Sequence, residues 1–171
     1  MISVNYKQKM GNQPVELIVK MNLAMWDAQN KKFANLIEKL TDEQLLNETA
    51  PSRNTGVYLL GHIIAVSDDM IRLFDLGDRI VPEYFDIFVK SPDKSNKEFP
   101  SIVDLKTAYQ TVSTLLNNRF SQFSLEDWLS KHTAVSDEDF AKEPMRNKLN
   151  VLISRTTHLS NHLGQMAYLN R

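Results

Sequence analysis

NTGVYLLGHIIAVSDDMIRLFDLG, residues 54–77, is the stretch that decides how the chain is read. Val57, Leu60, Ile63, Ile64, Ile71 and Phe74 keep the spacing of a helix that buries one face, and Gly77 can take the left-handed position at its end. His62 stands one turn into this helix, among Leu59, Leu60, Ile63 and Ile64. The apolar run from Val57 to Val66 is about half the length needed to span a bilayer.

The same period continues on either side. Upstream, Leu17, Ile18, Met21, Met25, Ala28, Phe33, Leu36, Ile37 and Leu40 predict a helix from about Val15 to Leu40, with Pro14 suited to its first turn. Thr41 and Gln44 then read as the capping box of a short turn. Downstream, from Gly77 to Pro100, the period is lost among Pro82, Pro92, Pro100 and the polar run Ser91–Glu98. Connections of that length are more often functional or mobile than accidental.

Ser101 can cap a third helix carrying Ile102, Leu105, Ala108, Tyr109, Val112, Leu115, Leu116 and Phe120. The segment 121–144 has no clear period, and Trp128 and Phe140 are expected to cover one end of the core. A last helix from about Arg146 carries Leu149, Leu152, Ile153, Leu159, Leu163, Met166, Ala167 and Leu169. No alternating β-branched run competes. The expectation is an all-α fold: one four-helix-bundle domain over residues 1–171, with a long connection between helices 2 and 3.

Composition narrows the function. The 171 residues hold 20 Lys plus Arg against 21 Asp plus Glu, a net charge of −1, with no basic stripe for nucleic acid or an anionic membrane. Residues 1–14 lack the apolar core and cleavage site of a signal peptide, so a cytoplasmic protein with no membrane partner is expected. Cysteine is absent, which excludes disulfides, thiolate metal ligands and a cysteine nucleophile of the protein's own.

Histidine is then the informative residue. His158 and His162 are four apart, on one helical face, with Cβ atoms about 6 Å apart and able to share one metal. In a bundle His62 can face the same point. The fourth, His132, lies in a polar Ser-Lys-His-Thr stretch and reads as solvated. Spacing alone leaves capping, surface and satisfied core histidines open beside a metal site.

Asn54-Thr-Gly-Val-Tyr-Leu-Leu-Gly-His62 opening the second helix, with His158-Leu-Ser-Asn-His162-Leu-Gly-Gln165 in the last, resembles the DinB/YfiT-like superfamily of bacterial four-helix proteins. The turn Leu-Thr-Asp-Glu-Gln-Leu after the first helix is similar to members of it as well. The resemblance implies that His62, His158 and His162 bind one divalent metal, zinc or nickel, at one end of the bundle. It also implies a homodimer and, from the family's thiol S-transferases, a low-molecular-weight thiol among the small-molecule substrates. No second motif for a thiol-cofactor pocket is matched.

Three neutral imidazoles leave a metal's full double charge and an open fourth position, the pattern of catalytic rather than structural sites. Such a metal can lower the pKa of water towards about 7 or hold an incoming thiol as thiolate. The leading expectation is therefore a metal-dependent thiol S-transferase, or a metal-activated hydrolase, acting on a small electrophile. The competing class is a non-catalytic metal-binding or stress-associated dimeric interaction protein. A third is a structural helical dimer whose histidines bind nothing.

Further residues are candidates around the site. Gln165 shares the face of the histidine pair. Asp69, two turns after His62, reads as a base, a partner to a neighbouring helix or an exposed acid, and Arg155 as an anion contact or an exposed helix arginine. Gly61 and Gly164 suggest close helix approach. Trp26, Met21, Met25 and Phe33 form a stripe suited to core or to a dimer surface.

Overall fold

The apolar faces marked by the periodicity belong to four long helices. The structure is a computed structural model and describes residues 2–95 and 97–170, with side chains from residue 12 onward. The long helices are α1 (Ile2–Lys39), α3 (Gly56–Leu73), α5 (Ile102–Phe120) and α8 (Lys148–Met166). Short helices fill the connections: α2 (Asp42–Leu46), α4 (Glu83–Phe88), α6 (Leu125–Leu129) and α7 (Asp137–Lys142), and a 3-10 turn at Ala167–Leu169 closes the chain. Among the described residues the fold is all-helical. Two single β-bridges, Glu48 with Thr55 and Lys131 with Asn147, pin loops.

The caps follow the sequence closely. The Thr41 side chain accepts from the Gln44 N–H while the Gln44 side chain accepts from the Thr41 N–H. Thr55 caps α3, Ser101 caps α5 and Asn147 caps α8, each accepting from the backbone N–H three residues on.

Two ends differ from expectation. Pro14 lies inside α1 rather than in its first turn. Proline withholds one N–H and crowds the carbonyl four residues upstream, which weakens the ladder locally and here does not end it. Helix α3 stops at Leu73, and Asp75 (φ 60°) takes the left-handed position just beyond, where the Leu76 N–H reaches back to the Ile71 carbonyl at 2.9 Å; Gly77, two residues further on, also has a positive φ of 124°. A short polar side chain tolerates that conformation better than most.

α3 is the central element. It packs on both α5 and α8, while α1 packs on α8 and α5 from the other side. Buried on α3 are Leu59, Leu60, Ile63, Ile64, Met70 and Ile71, and against them sit Phe33 and Ile37 of α1, Leu105 and Leu116 of α5, and Leu152 and Leu159 of α8. Polar anchors fix the register of α1 on α5. Trp26 Nε1 donates to Asn117 at 3.0 Å, and the buried Tyr109 hydroxyl donates to Asn30 at 3.0 Å, its burial pushing the phenol up to about 12. In the segment without a clear period, Trp128 is buried against Phe74, Phe120 and Phe123, as expected of it. Phe140 is only half-buried and lies outside the main core.

The long connection 77–100 is folded back along α3 and tied to it at both ends. Near its start, buried Asp68 accepts from the Ile80 and Val81 N–H groups at 2.8 and 3.0 Å, and Asp69 pairs with Arg79. Near its end, Asp93 accepts from the Thr55 N–H at 2.7 Å, and the Tyr58 hydroxyl donates to the Ser91 carbonyl at 2.9 Å. Between these ties α4 drives Phe88 into the core, where it meets Tyr58, Tyr84 and Phe99.

Gly61 makes that seating possible. A Cβ there would lie 2.4 Å from the Phe88 ring. Gly164 has no such role, since a Cβ at that position meets only open space. Gly61→Ala is expected to destabilise the protein by about 1–3 kcal/mol, the usual cost of forcing an extra methyl into a packed core. Combining it with Phe88→Leu should cost clearly less than the sum of the two single changes. Urea unfolding of the four proteins measures this, and simple additivity would contradict the contact.

Candidate metal centre

Three imidazoles converge where α3 and α8 face each other. His62 comes from the first turns of α3, and His158 and His162 from the second half of α8. His158 Nε2 lies 3.2 Å from His62 Nε2 and 3.0 Å from His162 Nε2. All three are half-buried, and their ligand atoms lie within 4.8 Å of one another. These are the three histidines singled out in the sequence. His132 stands apart from them, and contrary to expectation it is partly buried, with Nδ1 lacking a partner.

The outer nitrogens explain which way the lone pairs point. His62 Nδ1 lies 2.7 Å from the Phe88 carbonyl, which can only accept, so the proton sits on Nδ1 and the Nε2 lone pair faces inward. His162 Nδ1 lies 2.8 Å from Gln165 Oε1, which fixes the same tautomer. Two inward lone pairs therefore meet at His158, whose single ring proton can satisfy only one of them well. Its own Nδ1 is buried without a partner.

Burial favours the uncharged ring throughout. Desolvation lowers the pKa of His62, and the nearby charges of His162 and Arg155 add to it against the opposing pull of the Phe88 carbonyl. Desolvation likewise lowers His162, offset by Gln165. His158 is held down to about 4 by desolvation, with His162, His62 and Arg155 contributing in that order.

Three neutral imidazoles with converging Nε2 atoms are a donor set that suits a divalent ion. Ligand nitrogens about 2.0–2.1 Å from a tetrahedral ion stand about 3.4 Å apart, close to the spacing seen here. The three residues that could hold it are His62, His158 and His162. Among the described residues no carboxylate joins them, so one open side remains. A cleft of about 560 Å³ adjoins that region, bordered by His162, Gln165, Arg53, Asn54 and Tyr168.

Other candidates resolve individually. Gln165 is the partner of His162, as its place on the same face suggests. Asp69 is buried rather than exposed, and it is bound by Arg72 of its own helix and Arg79 of the long connection, not by a neighbouring helix. Arg155 is half-buried rather than exposed. The Phe88 carbonyl has no counterpart in the sequence reading, because a backbone acceptor carries no side-chain signature. The only available signal was a long connection with an apolar segment inside it.

An all-helical fold in which α3 and α8 each bring histidine to one point is the architecture of a helical protein with an imidazole site between helices. The DinB superfamily matches residues 25–166, and the chain belongs to that superfamily. A crystal structure of a conserved protein from Enterococcus faecalis is similar in fold, with a TM-score of 0.61 and 17% identity over 90% of this chain and 95% of that one. No match is found among curated proteins.

The neutral imidazoles make the metal-free protein acid-sensitive. Between the ordinary imidazole value near 6.5 and about 4, the unfolded chain binds protons that folded His158 refuses. The stability this contributes is complete above about 6.5 and is lost as the pH falls through that window. Urea unfolding of wild type and His158→Gln over the window should show the wild type losing stability relative to the variant. Parallel curves would contradict the neutral cluster.

Proposed function

We propose that the chain is a metal-dependent transferase that joins a low-molecular-weight thiol to a small electrophile, with His62, His158 and His162 holding one zinc or nickel ion. The observation that carries this reading is the inward convergence of three Nε2 atoms beside an open cleft. A divalent ion in that donor set supplies Lewis-acid chemistry, lowering the pKa of a thiol brought to its free side. With no cysteine in the chain, the thiol has to arrive as a substrate.

The protein's own part is to position. The Phe88 carbonyl and Gln165 hold two rings in the orientation that leaves Nε2 free, and partners of this kind also raise ligand basicity. The cleft between residues 49–54 and the end of α8 gives the electrophile its approach, with Arg53, Asn54 and Tyr168 as its polar rim. Water in place of the thiol gives the hydrolase variant of the same reading.

The proposal extends to the whole molecule. The four long helices form one four-helix-bundle domain spanning the chain, acting in the cytoplasm. No helix among the described residues is long and apolar enough to cross a membrane. Two chains pair through α1. Trp26 and Phe33 of its stripe turn into the core, whereas Leu17, Ile18, Met21 and Met25 are 51–63% exposed along one face, an apolar strip suited to a second copy. Analytical ultracentrifugation should report a dimer that Met21→Lys weakens; a wild-type monomer would contradict the pairing.

Elemental analysis should find close to one zinc or nickel per chain, and His158→Ala with His162→Ala should abolish it. Metal-loaded protein given several thiols and a chromogenic electrophile should react faster than the variant lacking all three histidines. Equal rates would rule out the transferase.

A further inference from the structure

Arg155 lies on α8 one turn before His158, about 4.5 Å along the helix axis by its rise. The residue is half-buried, and its Nε is fully buried with no hydrogen-bond partner. Among the described residues no carboxylate lies within ion-pair distance of its guanidinium. Asp69 is close enough for its charge to be felt but is committed to Arg72 at 3.1 Å and Arg79 at 2.5 Å. On the other side, Arg155 stands three residues before His158 and seven before His162 on α8, a spacing that puts it on the same helical face as the imidazole pair.

A partly desolvated guanidinium with unmet donors is costly unless an anion completes it. The cost grows where a dication is to be bound nearby, because two positive centres then share one low-dielectric pocket with no carboxylate between them. Arginine presents a planar fork that matches a carboxylate in two hydrogen bonds, the geometry that makes it selective for such groups. A ligand bearing one donor atom and one carboxylate a few bonds apart satisfies both needs.

We propose that Arg155 is the anion-recognition residue of this site, so that the ligand it takes is a small thiol carrying a carboxylate a few bonds from the sulfur. This rests on the reading of the three imidazoles as a ligand-receiving centre. In 3-mercaptopropionate the sulfur and the carboxylate are joined by two methylene groups, so one small molecule carries both the donor atom and the anion. Its neutral counterpart, 2-mercaptoethanol, offers the same sulfur and no anion.

The test uses both thiols, with zinc content measured separately by elemental analysis. The Arg155 Nε–H resonance, assigned by its absence in Arg155→Met, is followed by NMR during titration of protein before and after zinc addition. The expected result is a saturable shift with 3-mercaptopropionate and none with 2-mercaptoethanol. On zinc-loaded protein the anionic thiol should bind at least ~10-fold more tightly than the neutral one, as one charge-assisted pair allows. The preference should fall to near unity in Arg155→Met and partly return in Arg155→Lys. An Arg155 resonance unmoved by the anionic thiol, or a preference kept in Arg155→Met, would overturn the proposal. Absence of zinc from protein whose Arg155 still responds would instead remove the metal reading and leave the anion site standing.

Discussion

Phe88 meets α3 twice, and the site depends on both contacts. Its ring lies on Gly61, and its carbonyl holds His62 Nδ1, the residue next along the same helix. The first contact requires the absence of a side chain at position 61. The second determines which nitrogen of His62 keeps a proton. A long connection thereby becomes part of the site, because the same packing that buries Phe88 delivers an acceptor to the imidazole. Without it His62 could rotate or change tautomer, and the convergence with α8 would lose one of its three members.

The cluster that results is held neutral by its surroundings. Burial opposes charge on each ring, and His162 and His62 add to it at His158. On the proposed metal reading, a proton, which this setting disfavours, stands in contrast to a divalent ion, which has a larger charge density and can share all three donors. A histidine that merely fills a core is satisfied by its neighbours, whereas His158 Nδ1 has no partner and its one ring proton cannot serve both inward lone pairs. The arginine one turn away sharpens the contrast by adding positive charge that no described carboxylate neutralises at contact distance.

The long helices were legible because each has a period strong enough to outweigh local exceptions, and the starts of α2 and α5 because Thr41 with Gln44, and Ser101, cap as those residue types do. Within the histidine trio, a spacing of four within α8 put two rings on one face, while the full set with His62 was what the resemblance to the DinB/YfiT-like superfamily implied. Less legible was everything set by tertiary contact. The end of α3 depended on Asp75 accepting a conformation more often left to glycine. Pro14 fell inside a helix because one lost hydrogen bond does not outweigh a continuing ladder. The roles of Gly61 and Gly164, indistinguishable as letters, diverged because only one faces an aromatic ring. The burial of Arg155 comes with the packing of α8 on α3, and that of Asp69 with the long connection tied to α3 through Arg79, neither of which any spacing within one helix reveals.

Membership of the DinB superfamily and an all-helical fold set the frame, and the chemistry rests on whether the three Nε2 atoms share one ion. X-ray absorption spectroscopy of the zinc-loaded protein addresses this directly. The account predicts three imidazole nitrogens at about 2.0–2.1 Å plus one light, exchangeable ligand, with the imidazole signal reduced in His62→Ala. A spectrum without imidazole scattering, or one unchanged by removing His62, would contradict it.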